Sequence, residues 1–285
     1  MDISLSELSE VKGIGKKTIQ RIREYKLADE GYISEYNESL HLNRNSVNQG
    51  DCLELMNGIP DKSVDMILAD LPYGTTSCNW DSIIPLDKLW LQYERIIKDN
   101  GAIVLTASQP FTTKLIDSNK GLFRYCWVWD KVVPGNGLLA NKRPMKQHED
   151  ICVFYKKPPT YNKQMTEPTS DNFDNKVGKN SDFGEVYSKT KSKRENFKRK
   201  NPVSILRYNK FSQECNSHNR IHNTQKPVGL FEYLIKTYTN KGDLVLDNVA
   251  GSGTTGVACQ NTNRDYILIE KEQKYIDVIK ERLES

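Results

Sequence analysis

The stretch that decides how this chain folds is Val64-Asp65-Met66-Ile67-Leu68-Ala69-Asp70-Leu71-Pro72-Tyr73. Its first six residues are apolar apart from Asp65 and read as a short buried strand. A carboxylate, a proline and an aromatic ring then stand at the strand's carboxyl end, where open α/β sheets place their ligand crevice. The proline fixes its own φ and pushes Leu71 toward an extended conformation, so the turn is stiff. In a stiff turn the Asp70 carboxylate and the Leu71 carbonyl can both accept hydrogen bonds from one amino group, and Tyr73 can stack on the flat ring that carries it. The same tetrapeptide also suits a plain strand-to-loop turn with a helix cap.

A second stretch weighs on that choice. Leu244-Val245-Leu246-Asp247 reads as another buried strand and runs into Asn248-Val249-Ala250-Gly251-Ser252-Gly253-Thr254-Thr255. The glycines let backbone approach a ligand, and a helix starting near Thr254 points N–H groups at an anion. The next apolar run, Tyr266-Ile267-Leu268-Ile269, ends in Glu270. An acid one strand further along suits ribose hydroxyls. No lysine follows Gly253, so the pattern that grips nucleoside triphosphates is absent. A nucleoside-containing ligand that bears a carboxylate fits better than ATP.

Taken together these segments resemble the amino-group DNA methyltransferases. Asp70-Leu71-Pro72-Tyr73 is similar to that family's D-P-P-Y catalytic motif, and Asp247 to Thr255 to its D-P-F-A-G-S-G-T-T cofactor loop. His222-Asn223-Thr224-Gln225-Lys226-Pro227 is similar to the H-x-T-Q-K-P segment of the circularly permuted beta group, whose motif order this chain shares over roughly Val47 to Leu283. Leu71 stands where proline is commoner, and Asn248-Val249 where Pro-Phe is usual.

The resemblance implies an α/β fold: a Rossmann-like S-adenosylmethionine-dependent methyltransferase sheet with helices on both faces. It implies a site-specific enzyme that moves a methyl group from S-adenosyl-L-methionine to the N6 amine of adenine in double-stranded DNA, by base flipping and in-line transfer, with no metal. N4-cytosine transfer is the alternative, and a catalytically inactive DNA-binding protein on the same fold a second one. The implied catalytic residues are Asp70, Leu71, Pro72 and Tyr73. The implied cofactor contacts are Asp51, Cys52, Asp70, Asp247, Ala250, Gly251, Ser252, Gly253, Thr254, Thr255 and Glu270. Thr224, Lys226 and Pro227 join them at the methionine carboxylate. Family members are often dimers and work with or without a cognate restriction endonuclease, so a homodimer and an endonuclease partner, or neither, stay open.

At 285 residues the chain holds one sizeable core plus a smaller module. Its net charge of +4 is small, so a nucleic-acid surface must come from uneven charge. The six cysteines are never closer than 26 positions, which argues against zinc and against a disulfide framework and suits a cytoplasmic protein. No apolar run is long enough to span a bilayer.

Along the chain, residues 1–27 resemble a helix-hairpin-helix, with Lys12, Gly13, Gly15 and Lys16 offered to a DNA phosphate and a local excess of five positive charges. Residues 28–44 read as a linker. Residues 45–156 form the first part of the catalytic domain, in which Asp51 also suits a helix N-cap and Trp80 lies in a loop expected to line the target base. Between two further strands, Pro134 to His148 is glycine-rich and basic. Its Lys142, Arg143 and Lys146 suit a DNA backbone or simply a surface connection. Residues 157–220 carry 14 basic against seven acidic residues with aromatics interleaved, including Lys193, Arg194, Lys198, Arg199 and Lys200. That composition suits a target-recognition insertion, and equally a solvated disordered one. Residues 221–285 close the fold as the cofactor-binding part.

Overall fold

The computed structural model describes residues 41–74, 82–135, 137–166, 200–210 and 225–284. The expected contacts Lys12, Gly13, Gly15, Lys16, Lys193, Arg194, Lys198, Arg199 and Thr224, together with Trp80, lie outside the described residues.

One eight-stranded sheet organises the chain. Its strands are β1 (Ser46–Gln49), β2 (Val64–Ala69), β3 (Ile97–Ala107), β4 (Phe123–Gly135), β5 (Lys146–Phe154), β6 (Ile205–Arg207), β7 (Leu244–Asp247) and β8 (Asp265–Glu270). Their order across the sheet is β1-β8-β7-β2-β3-β5-β4-β6. The strands from β1 to β3 in that order run parallel, β5 is antiparallel to both β3 and β4, and β6 adds a parallel edge.

Among the described residues six α-helices cover the two faces: α1 (Cys52–Leu55), α2 (Leu86–Ile96), α3 (Phe111–Ser118), α4 (Val228–Tyr238), α5 (Thr254–Thr262) and α6 (Gln273–Glu284). Period-two alternation sorts the core. Ile67 and Ala69 of β2 face a layer with Leu89, Trp90, Tyr93, Phe111 and Leu115 from α2 and α3. Met66 and Leu68 face the opposite layer with Leu230, Phe231, Leu234, Ile235, Ala258 and Ile279 from α4, α5 and α6. A strand buried on both faces cannot afford polar residues between its ends, which is why Val64–Ala69 reads as a continuous apolar run.

β7 lies between β8 and β2. Its chain leaves through α5 toward β8, whereas β2 leaves through α2 toward β3 on the other side. That divergence opens a crevice at the carboxyl ends of β7 and β2. Pro227 stands just before α4, and Val228, Phe231, Leu234, Ile235 and Tyr238 are all buried, as the helical spacing predicts.

Two stretches are more integrated than composition suggests. Leu42 is buried and Arg44 pairs with Asp265 at 2.8 Å, so the tail of the stretch read as a linker packs on the sheet. Within the basic insertion, β6 joins the edge of β4, and Asn162 donates to the backbone of Lys236 and Thr239 around the end of α4. The first strand after α2 begins directly at Ile97, and β4 and β5 form a long hairpin of 13 and 9 residues.

Candidate active site

Four acids stand along the carboxyl edge of the parallel strands: Asp51 after β1, Glu270 ending β8, Asp247 ending β7, and Asp70 after β2. Their surroundings differ, and the differences assign their chemistry.

Asp70 is the best partnered. The Tyr73 hydroxyl donates to its Oδ1 at 2.8 Å, and Thr106, at the end of neighbouring β3, donates a short hydrogen bond to the same oxygen. Lys226 donates to Oδ2 at 2.5 Å and lies 3.5 Å from Glu149 Oε2. Glu149 in turn receives Lys131 at 2.9 Å. The result is an alternating row of charges, Asp70, Lys226, Glu149 and Lys131, of which Lys226 is 8% exposed. Burial opposes the charge on Lys226, yet the Asp70 and Glu149 carboxylates outweigh it and hold the ammonium above its ordinary range. Burial likewise works against a charged Glu149, but Lys226 and Lys131 hold its carboxyl below the usual range. Tyr73 stacks on Phe111 with ring centroids 5.4 Å apart. Burial, reinforced by the Asp70 charge, raises its hydroxyl well above the usual value, so it stays a neutral donor. A carboxylate offers about four lone-pair directions. Two hydroxyls use those of Oδ1 and Lys226 uses one of Oδ2, which leaves Oδ2 able to accept one further N–H.

Among the described residues, Asp247 has no cation paired with it. It is buried, accepts Val249 N–H at 3.1 Å and receives a short hydrogen bond from Thr255. Burial pushes its carboxyl up to about 7 despite those donors. The loop it starts is shaped by glycine: Gly251 and Gly253 have φ of +52° and +78°, in the left-handed region. A Cβ on Gly253 would come within 3.0 Å of Ile279 of α6. Gly253 precedes the first turn of α5, which has no side-chain cap. Ala250, Ser252 and Thr254 of this loop are buried, and Arg282 of α6 donates a short hydrogen bond to the Ser252 carbonyl. Glu270 accepts the N–H groups of Gly251 and Glu272 at 2.8 and 2.9 Å, and burial raises its carboxyl. Asp51 caps α1 by accepting Leu53 N–H at 3.0 Å, as expected of a cap, and lies 3.7 Å from Lys271. Cys52 is buried, which pushes its thiol up to about 11. Besides Glu149 Oε2, which faces the Lys226 ammonium, two buried polar atoms, Asn248 Nδ2 and Gln225 Oε1, have no hydrogen-bond partner among the described residues. One is a donor and the other an acceptor, so a ligand with both functions would relieve both. A nucleoside with an amino-acid tail meets that requirement, and Glu270 is placed for its hydroxyls.

The sequence expectation for Lys226 was a cofactor carboxylate. The structure sets its ammonium on Asp70 and Glu149, and Thr254 donates to the Lys226 carbonyl at 3.4 Å. Sequence reasoning missed Thr106, Glu149 and Lys131. The signal for Thr106 was present, because it is the polar residue at the carboxyl end of the apolar run that follows β2. Glu149 lies in a polar stretch and needed the pairing of β5 with β3 to be found. Lys142 and Arg143 are exposed on the turn between β4 and β5, away from Asp70 in sequence but on the same edge of the sheet, and Lys200 bridges to Thr166 through paired backbone hydrogen bonds.

Comparison with known proteins gives the family and the fold. A type II methyltransferase, M.HpaI from Haemophilus parainfluenzae, is 28% identical over 247 residues, 82% of this chain and 73% of its own. The DNA adenine methyltransferase YhdJ of Escherichia coli (strain K12) is 30% identical over 263 residues, covering 82% and 81%. Among solved structures, the M1.HpyAVI–SAM complex matches with a TM-score of 0.57 at 23% identity over 84% of this chain and 99% of that one. The PvuII DNA methyltransferase (cytosine-N4-specific) matches with a TM-score of 0.58 at 16% identity, covering 85% and 87%. The family model for DNA methylases, N6_N4_Mtase, matches residues 64–281. With its permuted motifs on one sheet edge and that match over most of its length, the chain belongs to the N6/N4 DNA methylase family.

Proposed function

We propose that this protein transfers a methyl group from S-adenosyl-L-methionine to the N6 amino group of adenine in double-stranded DNA, with the base turned out of the helix. The observation that carries the reading is the remaining acceptor direction of Asp70 Oδ2 at the crevice between β2 and β7. A relative named as a DNA adenine methyltransferase, YhdJ, supports the choice of base. When bound, S-adenosyl-L-methionine supplies an electrophilic methyl group on a sulfonium. Glu270, Asp51, Asp247 and the Gly251–Thr255 loop are the residues that would hold it.

The chain's own residues do the rest. An aromatic amine is a poor nucleophile because its lone pair is delocalised into the ring. Asp70 Oδ2 and the Leu71 carbonyl accept its two N–H groups, which localises that pair and aims it. Pro72 keeps the two acceptors in fixed relation. The Tyr73 and Thr106 hydroxyls hold the carboxylate from behind, so the geometry is set before the amine arrives. Once the methyl group has passed from sulfur to nitrogen, its bond to sulfur broken, the nitrogen must release one proton, and Asp70 Oδ2 is the atom placed to receive it. Lys226 stays protonated throughout and keeps its hydrogen bond to that carboxylate. A duplex hides the amine in the stack, which is why the base must leave it.

The test is transfer of labelled methyl groups to unmethylated DNA, followed by digestion to nucleosides and chromatography. Label in N6-methyladenosine is the expected result. Label in N4-methylcytosine would keep the chemistry and correct the base. No label on DNA, with S-adenosyl-L-methionine bound in calorimetry, would overturn the reading in favour of a DNA-binding protein on a retired fold.

A further inference from the structure

The β4–β5 hairpin projects past the sheet edge that carries Asp70. Asp150 of β5 pairs with Ala107, the last residue of β3, and the stem continues outward to the Gly135–Lys146 pair. Those four residues carry it roughly 13 Å beyond the edge. The root of the hairpin is bound to the site: Lys131 and Glu149 belong to the charged row that ends on Asp70, and Lys146 donates to Ser108 just after β3.

Its tip is wound rather than slack. Ala140 N–H donates to the Gly137 carbonyl at 3.0 Å, and the N–H groups of Lys142 and Arg143 both donate to the Leu139 carbonyl, at 2.9 and 3.0 Å. This winding leaves Leu139 half-buried and sets Leu138 wholly in solvent, with a relative exposure of 102%. Met145, 42% exposed, lies against the same turn, its Cε 3.8 Å from where a Cβ on Gly137 would stand. Lys142 and Arg143 are exposed on the same tip. A leucine held out of the core by its own backbone forgoes burial within the chain, so its apolar surface is available to something else.

We propose that Leu138 is the wedge that enters the base stack where the target adenine leaves it, with Lys142 and Arg143 on the flanking phosphates. The inference rests on the reading under Proposed function. A base turned out of a duplex leaves an apolar gap between two flat neighbours, bounded on both sides by phosphate charge. A branched aliphatic side chain on the same tip as two cations, carried by the hairpin whose root is bound to the Asp70 site, complements that gap in shape, polarity and charge. The wedge contacts no reacting atom; it holds the vacated stack open and so favours the extrahelical base.

The experiment uses the full chain and two duplexes that contain its methylated site, mapped beforehand on unmethylated plasmid DNA. One duplex is intact and the other has an abasic position opposite the target adenine, where extrusion breaks no base pair. Single-turnover transfer of labelled methyl is compared for the wild type, Leu138→Ala and Leu138→Met. Leu138→Ala is expected to lose about tenfold or more on the intact duplex and to return to within about threefold of wild type on the abasic one. Leu138→Met is expected to stay near wild type on both. An equal loss on both duplexes, or no loss on the intact one, would overturn the wedge. A wild type that labels adenine in neither duplex would overturn the underlying reading instead, and that outcome is visible without any variant.

Discussion

Asp247 ends β7 and Asp70 follows the neighbouring parallel strand β2, two register positions further on, and the protein treats them in opposite ways. Asp70 receives two hydroxyls and the Lys226 ammonium and keeps a share of solvent, with its side chain 23% exposed. Asp247 receives one hydroxyl and one N–H, no cation and almost no solvent, and its carboxyl rises to about 7. The two carboxylates are set up differently: Asp70 has a counter-charge beside it, whereas Asp247, which starts the glycine loop, is left to burial and keeps its proton to a higher pH.

The comparison breaks most visibly at Asp70. Asp70→Ala is expected to lower methyl transfer by about 10³-fold or more, with S-adenosyl-L-methionine affinity in calorimetry within a few-fold of wild type. If cofactor binding fell together with transfer, Asp70 would belong with Asp247 on the cofactor side, and the contrast between them would be gone.

Glu149 tests the counter-charge. Removing one member of a buried ion pair leaves its partners uncompensated, so Glu149→Gln is expected to cost about 3 kcal/mol in urea unfolding at neutral pH. The pH dependence follows from the directions of the shifts. Glu149 titrates lower in the folded chain, so its contribution is present above the ordinary carboxylate range and is lost as pH falls through the lowered value. Lys226 titrates higher when folded, so its contribution is present below its ordinary value and is lost as pH rises through the raised one. The stability gap between wild type and variant should therefore be a plateau across neutral pH that closes in acid. A variant as stable as wild type at pH 7 would mean that Asp70 alone holds Lys226.

Asp247 gives the reverse slope. Its proton is held up to about pH 7 in the folded chain but leaves near pH 4 when unfolded. Stability is therefore greatest below the unfolded value, declines as pH rises toward 7 and is flat above it, by about 4 kcal/mol at most over that range. Asp247→Asn keeps both hydrogen bonds, since its amide oxygen can accept from Val249 and its NH₂ can donate to Thr255, but it carries no charge to desolvate. It should match wild type near pH 4 and exceed it at pH 8. Parallel curves for the two proteins would show that Asp247 is as well compensated as Asp70.

How much of this could be read from the chain depends on whether the cause is local. Val64–Ala69 and Leu244–Asp247 emerge with the expected bounds because a strand buried on both faces writes itself as an unbroken apolar run. The glycine loop and the cap at Asp51 were readable because each is set by residues within a few positions. The charged row behind Asp70 was not. Lys226 is 156 positions away from Asp70, and Glu149 reaches it only because β5 turns back antiparallel along β3. β6 was also hidden: three residues in a basic, polar stretch carry no periodicity, and their edge position on β4 is fixed by partners rather than by their own pattern.

Thr106 is the smallest test and the one that isolates preorganisation. It is the penultimate residue of β3, beside Asp70, its hydroxyl donating to Asp70 Oδ1 and its oxygen accepting from the Tyr73 hydroxyl 3.1 Å away. Valine has nearly its shape, so Thr106→Val removes one donor without opening a cavity, and Tyr73 still holds the same oxygen. A hydrogen bond to a charged group is worth about 1.5–3 kcal/mol, and some of that is recovered when Tyr73 moves onto the freed direction. The expected result is a loss of about tenfold in kcat, with KM for S-adenosyl-L-methionine unchanged, because the hydroxyl aims the carboxylate and does not touch the cofactor loop. Asp247 offers a matched control in Thr255→Val, which also deletes a hydroxyl donor from a carboxylate. There the loss should fall on cofactor affinity rather than on kcat. If both substitutions moved the same parameter, the two aspartates would be one functional unit, and their different surroundings would be an accident of packing rather than a division of labour.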